Sequence, residues 1–210
     1  MINIEDEWLA GLTVRRILPL LILFALIGQS QALPTGVDDR GDDGCLCHGG
    51  ADDSTVVTLS GLPEVYNSSQ EYNVTLTIES PVEENAIQGG FRIIISHGEL
   101  VGEGWQIIDN GYTHTSEIND RRVWDAVWIA PEETDKLATF LIHGNAVNGD
   151  NSPSGNGDEW NSQSLAIPGP DYTGEITSPE LSNSISNAQL GVGILAITIV
   201  LGLTIFAIKD

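Results

Sequence analysis

The stretch EYNVTLTI at residues 71–78 alternates strictly between polar and apolar side chains. Successive side chains of a β-strand point to opposite sides, so Tyr72, Val74, Leu76 and Ile78 share one face. Further runs rich in Val, Ile, Trp and Thr occupy residues 55–59, 90–97, 101–108, 122–129 and 137–143, with an edge strand expected at 164–167. Turn residues separate these runs, and no helical period lies between them. The sequence therefore predicts an all-β domain, an antiparallel β-sandwich at residues 51–167.

Trp124 and Trp128 are four residues apart in one predicted strand and therefore lie on the same face. Together with Trp105 and Trp160 they could line a carbohydrate-binding surface. In a sandwich such a tryptophan face is more often core, and we expect the Trp124/Trp128 face to be buried.

The composition is strongly acidic. Among 210 residues there are 30 Asp and Glu against 8 Lys and Arg, a formal charge of −22. Binding to nucleic acid phosphates requires a basic surface, so we expect no nucleic acid partner. We interpret the charge as a solvating, salt-tolerant coat, with a cation-binding face as the alternative. The apolar fraction of 41% is sufficient to build a core.

The N-terminal apolar run at residues 17–27 follows Arg15 and Arg16 and precedes the small-residue site Ser30-Gln31-Ala32. This order predicts a secretory signal peptide at residues 1–32, cleaved after Ala32. The alternative is an uncleaved N-terminal anchor.

The C-terminal run at residues 190–208 has 19 residues and carries no charge. As a helix it would span about 28 Å, enough for the hydrocarbon core of a bilayer. We predict a transmembrane helix at 189–208, a stalk at 168–188 and a cytoplasmic tail at 209–210. The domain would then lie on the extracellular side of the cell membrane, facing an unknown extracellular partner.

The two cysteines of the chain, Cys45 and Cys47, lie in the sequence GCLCHGG beside His48, within a predicted Cys/His segment at residues 33–50. Three interpretations compete. The cysteines could form a local disulfide, because the cell exterior oxidises thiols. The thiolates and His48 could bind copper or zinc. They could hold a haem, although haem attachment uses C-x-x-C-H and one residue between the cysteines is missing here.

Other candidate sites are weaker. His97 and His143 each end a predicted strand, where a hydrogen-bonded surface histidine is the usual finding. The loop from Asn148 carries Asp150 and Asp158, which suit calcium, but an Asn/Gly/Asp turn explains them more simply.

Asn67 and Asn73 begin N-glycosylation sequons. We find no catalytic motif and predict that the chain is not an enzyme.

Several motifs in this order resemble the choice-of-anchor V family, which is similar to Reeler (reelin-like) domains. They are GCLCHG at 44–49, GGF at 89–91, YTHT at 112–115, WDAVWIAP at 124–131 and GNAVNGD at 144–150, leading into SGNGD at 154–158. The resemblance implies an immunoglobulin-like sandwich displayed at the cell surface on a C-terminal anchor.

Members of this family commonly carry C-x-x-C-H near the start and a His-Thr pair in mid-domain. If these map here, Cys45, Cys47, His48 and His114 correspond, and the shortened C-x-C-H counts most against haem. Two hypotheses follow: a structural or adhesive surface module, and a surface metal or redox protein. For the latter we expect copper before zinc, since copper has the higher intrinsic affinity.

Overall fold

The computed structural model of the chain describes residues 34–45, 51–150, 157–181 and 187–208. Within these ranges the elements are β1 (Val56–Ser60), β2 (Glu71–Glu79), β3 (Gly89–Ile95), β4 (Glu99–Val101), β5 (Trp105–Ile108), β6 (Gly111–His114), β7 (Val123–Ile129), β8 (Leu137–Ala146), β9 (Glu159–Pro168) and α1 (Asn187–Ile208). Short 3-10 helices lie at Asp39–Gly41 and Ser116–Ile118.

The strands form two sheets. Within each sheet, every pair of neighbouring strands is antiparallel. One sheet has the order β1-β2-β7-β4, and the other has the order β5-β6-β3-β8-β9. Apolar side chains from both sheets share one buried core. The predicted all-β class is confirmed, and the architecture is consistent with a sandwich.

The alternation in β2 is confirmed. Val74, Leu76 and Ile78 are buried, Tyr72 is half-buried and Asn73 is exposed. The neighbouring strand β7 continues the same apolar face, because its residues pair with those of β2 in register.

The predicted burial of the two tryptophans of β7 is also confirmed. Trp124 is 3% exposed and Trp128 is 0% exposed. The ring of Trp128 stacks on Tyr72 at 5.6 Å and meets Tyr66 and Phe140 edge-on at 5.8 and 5.2 Å. This aromatic cluster joins the two sheets, since Phe140 belongs to β8 of the opposite sheet.

The stretch predicted as one strand at 101–108 is two strands in different sheets. β4 pairs with β7, whereas β5 pairs with β6. A turn at Gly102 and Gly104 separates them, with Trp105 N donating to Gly102 O at 3.2 Å and Gly104 at a φ of +75°. Glycine readily adopts this left-handed conformation, so the chain can cross from one sheet to the other here.

The hydrophobic pattern of the sequence did not reveal β6 or the first half of β9. β6 was not predicted; it follows a two-residue turn in which Asp109 and Asn110 both have positive φ, as a type I′ hairpin requires. β9 begins at Glu159, five residues before the predicted edge strand, and pairs with β8 along its whole length. Its Asn, Ser and Gln side chains hide it from an apolar pattern.

Part of the predicted stalk lies along the domain. Gly169 N donates to Lys136 O at 2.9 Å, and Asp171 N donates to Thr134 O at 3.0 Å. Further on, the hydroxyl of Ser164 donates to Pro179 O at 2.6 Å. The chain therefore keeps contact with the sandwich after β9 ends.

The C-terminal helix α1 covers the apolar run. The hydroxyls of Thr198 and Thr204 donate to the carbonyl oxygens of Ile194 and Val200, each at 2.8 Å, so the helix satisfies them internally. No helix among the described residues is long and apolar enough to cross a membrane. The predicted transmembrane span at 189–208 is thus not confirmed. The predicted signal peptide and cytoplasmic tail lie outside the described residues.

Candidate functional site

Residues 34–45, here called the N-terminal segment, lie on the outer face of the five-stranded sheet. The segment rests on a polar row, which we define as one polar side chain from each strand, aligned by the strand register. Its members are Gln106, Thr113, Arg92, His143 and Ser162. Side chains that alternate with the row, such as Phe91 and Ile93, enter the core.

Arg92 is the charged centre of this row, and its side chain is fully buried. Its Nε donates to Asp42 Oδ1 at 2.8 Å. Its terminal nitrogens donate to the carbonyl oxygens of Val37 at 3.2 Å, Ile108 at 2.5 Å and Asp109 at 3.0 Å. One guanidinium therefore joins the N-terminal segment to the β5–β6 hairpin, using the fork of donors that arginine alone provides.

The other members of the row bind the backbone of the N-terminal segment. Gln106 Nε2 donates to Thr35 O at 2.5 Å, and Thr113 Oγ1 accepts from Val37 N at 3.1 Å. At the far end, His143 Nε2 lies 2.9 Å from Asp42 O. The segment is thus held at several points along its length.

His143 is hydrogen-bonded as predicted, but it is 1% exposed and not a surface residue. Burial lowers the pKa of His143, which favours the neutral ring. A carbonyl can only accept, so Nε2 carries the proton toward Asp42 O, and Nδ1 accepts from the Ser162 hydroxyl at 2.6 Å. Asp42 of the N-terminal segment and the Trp160 ring both lie beside this histidine. His97 is half-buried and its Nδ1 lies 2.9 Å from Ser96 Oγ.

The C-x-C-H motif is bracketed by contacts with Trp160, which is 0% exposed. On one side Gly44 lies against the Trp160 ring so closely that an added Cβ would overlap it. On the other side Ala51 forms a parallel bridge with Trp160, and Asp52 N donates to Trp160 O at 2.9 Å. Cys45 is half-buried.

His114, at the end of β6, is 6% exposed and lies beside Phe91, with ring centroids 5.8 Å apart. Its Nδ1 is 3.3 Å from Thr115 O, so Nδ1 carries the proton and Nε2 keeps a lone pair. Burial lowers the pKa of His114, which favours the neutral ring that binds metals. Nε2 lies directly over Gly90, where an added Cβ would overlap it.

A second cross-strand row connects His114 with the motif. Gly90 pairs with Asn145, and Asn145 pairs with Trp160. Adjacent strands are about 4.8 Å apart, so Gly90 and Trp160 are separated by about 10 Å. His114 Nε2 therefore lies against one residue of this row, Gly90, and Gly44 lies against another, Trp160, about 10 Å away across the sheet.

The structure describes only two of the four predicted ligands, Cys45 and His114. Cys47 and His48 lie outside the described residues, and so does any bond between the two cysteines. The described ranges contain no group of three or more His, Cys, Asp or Glu side chains that could hold a metal. The observations that fit a metal are the neutral imidazole of His114, its free lone pair and the sulfur and nitrogen donors that the motif would add.

The loop considered for calcium forms a turn through its described residues. Asp158 Oδ1 accepts from Asn148 N at 2.9 Å, and Asp150 N donates to Asn148 Oδ1 at 3.1 Å. Gly149 has a φ of +66°. The bond from Asp150 N to Asn148 Oδ1 is that of an Asx-type turn, whereas the bond to Asp158 joins the two ends of the loop. Residues 151–156 lie outside the described residues.

Both sequon asparagines are exposed, as glycosylation would require. Asn73 lies on the solvent side of β2, and Asn67 Nδ2 donates to Gln70 Oε1 at 2.7 Å.

Sequence reasoning gave no role to Arg92, and it quoted Gly90 and Asn145 only as parts of the family motifs GGF and GNAVNGD. A lone arginine in the apolar strand FRIII was an available signal, because a buried charge needs partners from elsewhere in the chain. The positions of Gly90 and Asn145 follow from strand register, which one sequence does not supply.

Comparison with known proteins gave fold-level similarity only. No family model and no curated protein matches the chain. A human F-spondin reeler domain is 15% identical, covers 56% of this chain and 91% of its own, and has a TM-score of 0.37. A conjugative transposon lipoprotein from Bacteroides eggerthii is 10% identical over 55% and 98%, with a TM-score of 0.36. The Salmonella SafD adhesin is 14% identical over 55% and 97%, with a TM-score of 0.32. The resemblance to the choice-of-anchor V family stays a prediction.

Proposed function

We propose that this chain is an exported β-sandwich module of the cell surface that binds a copper or zinc ion. The ligands would be Cys45, Cys47, His48 and His114. The observation that supports the proposal is the cross-strand row Gly90–Asn145–Trp160, because His114 Nε2 lies against Gly90 and Gly44, just before the motif, lies against Trp160.

The parts of the chain that the structure describes have separate roles in this proposal. Arg92 and the polar row hold the N-terminal segment, and Trp160 supports the residues on both sides of the motif. His114 offers Nε2 as a ligand because Thr115 O holds the proton of Nδ1. Two sulfurs and two imidazoles suit either metal, and copper would add one-electron redox chemistry.

Metal binding can be tested on the reduced full-length chain. We expect uptake of about one equivalent of copper, weakened by Cys47→Ser and by His114→Ala, with affinity falling as pH drops because the ligands must be deprotonated. His97→Ala is the matched control, since His97 contacts only a neighbouring serine through its ring nitrogen.

The outcomes separate the remaining alternatives. A chain with no free thiols and no copper uptake after reduction would show that the cysteines form a disulfide and would refute the metal site. An absorption band in the haem Soret region would support haem despite the short spacing.

Export and attachment rest on the sequence. The signal-like N-terminus, the exposed sequons and the acidic surface support an extracellular location, and the uncharged run at 190–208 supports attachment there. Protease added to intact cells should remove residues 33–188, whereas protection of that region would contradict the orientation. A chain truncated before residue 187 should appear in the medium if the C-terminal run is the anchor. Adhesion to a partner stays a prediction.

A further inference from the structure

The two N-glycosylation sequons of the chain have different structural settings, although both asparagines are exposed. Residues 67–69 lie in a surface turn that precedes β2, whereas residues 73–75 lie within β2. A sequon consists of an asparagine and a hydroxyl residue two positions later, and a glycosylating enzyme must reach both. The sequence presents this pattern twice, so only the fold distinguishes the two sites.

The turn sequon is accessible at both positions. Gln70 N donates to Asn67 O at 3.1 Å, which closes a turn around Ser68 and Ser69, and all four residues are exposed. The Ser69 hydroxyl makes no hydrogen bond to another described residue. Asn67 Nδ2 donates to Gln70 Oε1 at 2.7 Å, and water can readily replace this bond because both side chains are exposed.

The strand sequon is fixed at both positions. β2 lies between β1 and β7, with Asn73 paired to Val127 and Thr75 paired to both Ser60 and Asp125. The hydroxyl of Thr75 donates to Asp125 Oδ1 at 2.7 Å, so it is already engaged. Separating a central strand from its neighbours requires a cooperative unit of the domain to open, whereas a surface turn opens locally and far more often.

We propose that Asn67 is the asparagine that receives an N-linked glycan on the folded domain, and that the fold protects Asn73. The inference rests on the export part of the proposed function and is independent of the metal site. In the transfer, Nδ2 of Asn67 forms a bond to the anomeric carbon of an oligosaccharide carried on a lipid phosphate. The bond from that carbon to the phosphate oxygen breaks, the lipid phosphate leaves with the electron pair, and Nδ2 gives one proton to a base of the transferase.

The glycan on each asparagine can be measured separately. Three glutamates place the two sequons in different peptides: Glu64, Glu71 and Glu79. The full-length chain is purified from the cells that make it, denatured and digested with a glutamate-specific protease, which gives peptides 65–71 and 72–79. Mass spectrometry then gives the glycan occupancy of each peptide. We expect the occupancy at Asn67 to exceed that at Asn73 by more than about tenfold, because local opening is far more frequent than cooperative opening.

Variants of the turn show whether the sequon itself directs the glycan. Asn67→Gln and Ser69→Ala should each remove the glycan from peptide 65–71, because each destroys one half of the sequon. Ser68→Ala is the matched control, since it removes the hydroxyl that donates to Glu132 O at 2.7 Å and keeps the sequon intact. We expect Ser68→Ala to keep the wild-type occupancy.

Val74→Ala tests the protection of Asn73. Val74 is the middle residue of the strand sequon and is 1% exposed, so alanine keeps the sequon intact and opens a cavity beneath β2. The strand should then separate from its neighbours more often, and the glycan occupancy at Asn73 should rise. An occupancy that stays at the wild-type value would overturn the protection of this site by the fold.

The two proposals fail in different ways. Protection of residues 33–188 from protease on intact cells contradicts export and refutes this inference with it. An exported chain whose peptide 65–71 carries no glycan refutes the inference alone. Equal occupancy of the two peptides also refutes it, since the glycan would then be transferred before the domain folds.

Discussion

Replacing Arg92 by Met should release the N-terminal segment and destabilise the domain. The arginine is fully buried and donates to Asp42 and to three backbone carbonyl groups. Methionine keeps much of the volume but removes every donor, and the acceptors that lose their partner are only partly buried. Leaving such acceptors unpaired typically costs about 1–3 kcal/mol in the free energy of unfolding.

The substitution Asp42→Asn removes the ion pair with Arg92 but leaves the hydrogen bonds from Arg92 to the three carbonyl groups. The Asp42 side chain is 42% exposed, so we expect this change to cost only about 1 kcal/mol. Urea denaturation gives both free energies, and hydrogen exchange of the peptide covering residues 34–45 reports the local opening of the segment. Arg92→Met should speed exchange there far more than Asp42→Asn. A loss under about 1 kcal/mol, with unchanged exchange in that peptide, would refute the anchoring role of Arg92.

Three further predictions follow from the described contacts. Trp128→Ala should lower the free energy of unfolding by about 3–5 kcal/mol in urea denaturation, and a change within about 0.5 kcal/mol would mean that the ring faces solvent. Gly90→Ala should displace His114, cost about 1–3 kcal/mol and weaken copper binding, whereas Gly191→Ala, whose methyl group meets nothing within 4 Å, should leave copper binding unchanged. Burial lowers the pKa of His114 and His143, so the metal-free unfolding free energy should be highest above the ordinary pKa of 6.5 and fall below it. His143→Gln should flatten that acid slope, and an unchanged slope would contradict the assignment.

The fold could be predicted where one face of a strand is apolar. β2 alternates strictly, and both tryptophans of β7 lie on its buried face, so composition and period agree there. The crossing between β4 and β5 could not be predicted in this way, because both strands are short and apolar and only the glycine turn separates them. Only part of β9 was predicted from the sequence, for the opposite reason. Much of its outward-facing side lies under or beside other chain segments, and it is built from polar residues that pair with β8.

The proposed ligands come from the sequence motif and from the family resemblance, and they stay predictions. Cys45, Cys47 and His48 are adjacent in sequence, and His114 came from the family resemblance. Their neighbours are set by register: Gly90, Asn145 and Trp160 are far apart in sequence but adjacent across β3, β8 and β9. Local patterns cannot reveal such partners, since they depend on which strands pair and in what alignment.

The contacts between the polar row and the N-terminal segment go beyond what a disulfide between Cys45 and Cys47 would need. A disulfide between Cys45 and Cys47 would enclose three residues and restrict the unfolded chain by only about 1–2 kcal/mol. That bond would not require a buried arginine and a buried histidine beneath the preceding residues, each of which costs desolvation. In the proposed metal site, Arg92 and His143 would help to fix the alignment of donors that come from separate elements of the fold. Binding would then stabilise the docked segment, and the docked segment would favour binding by the same free energy.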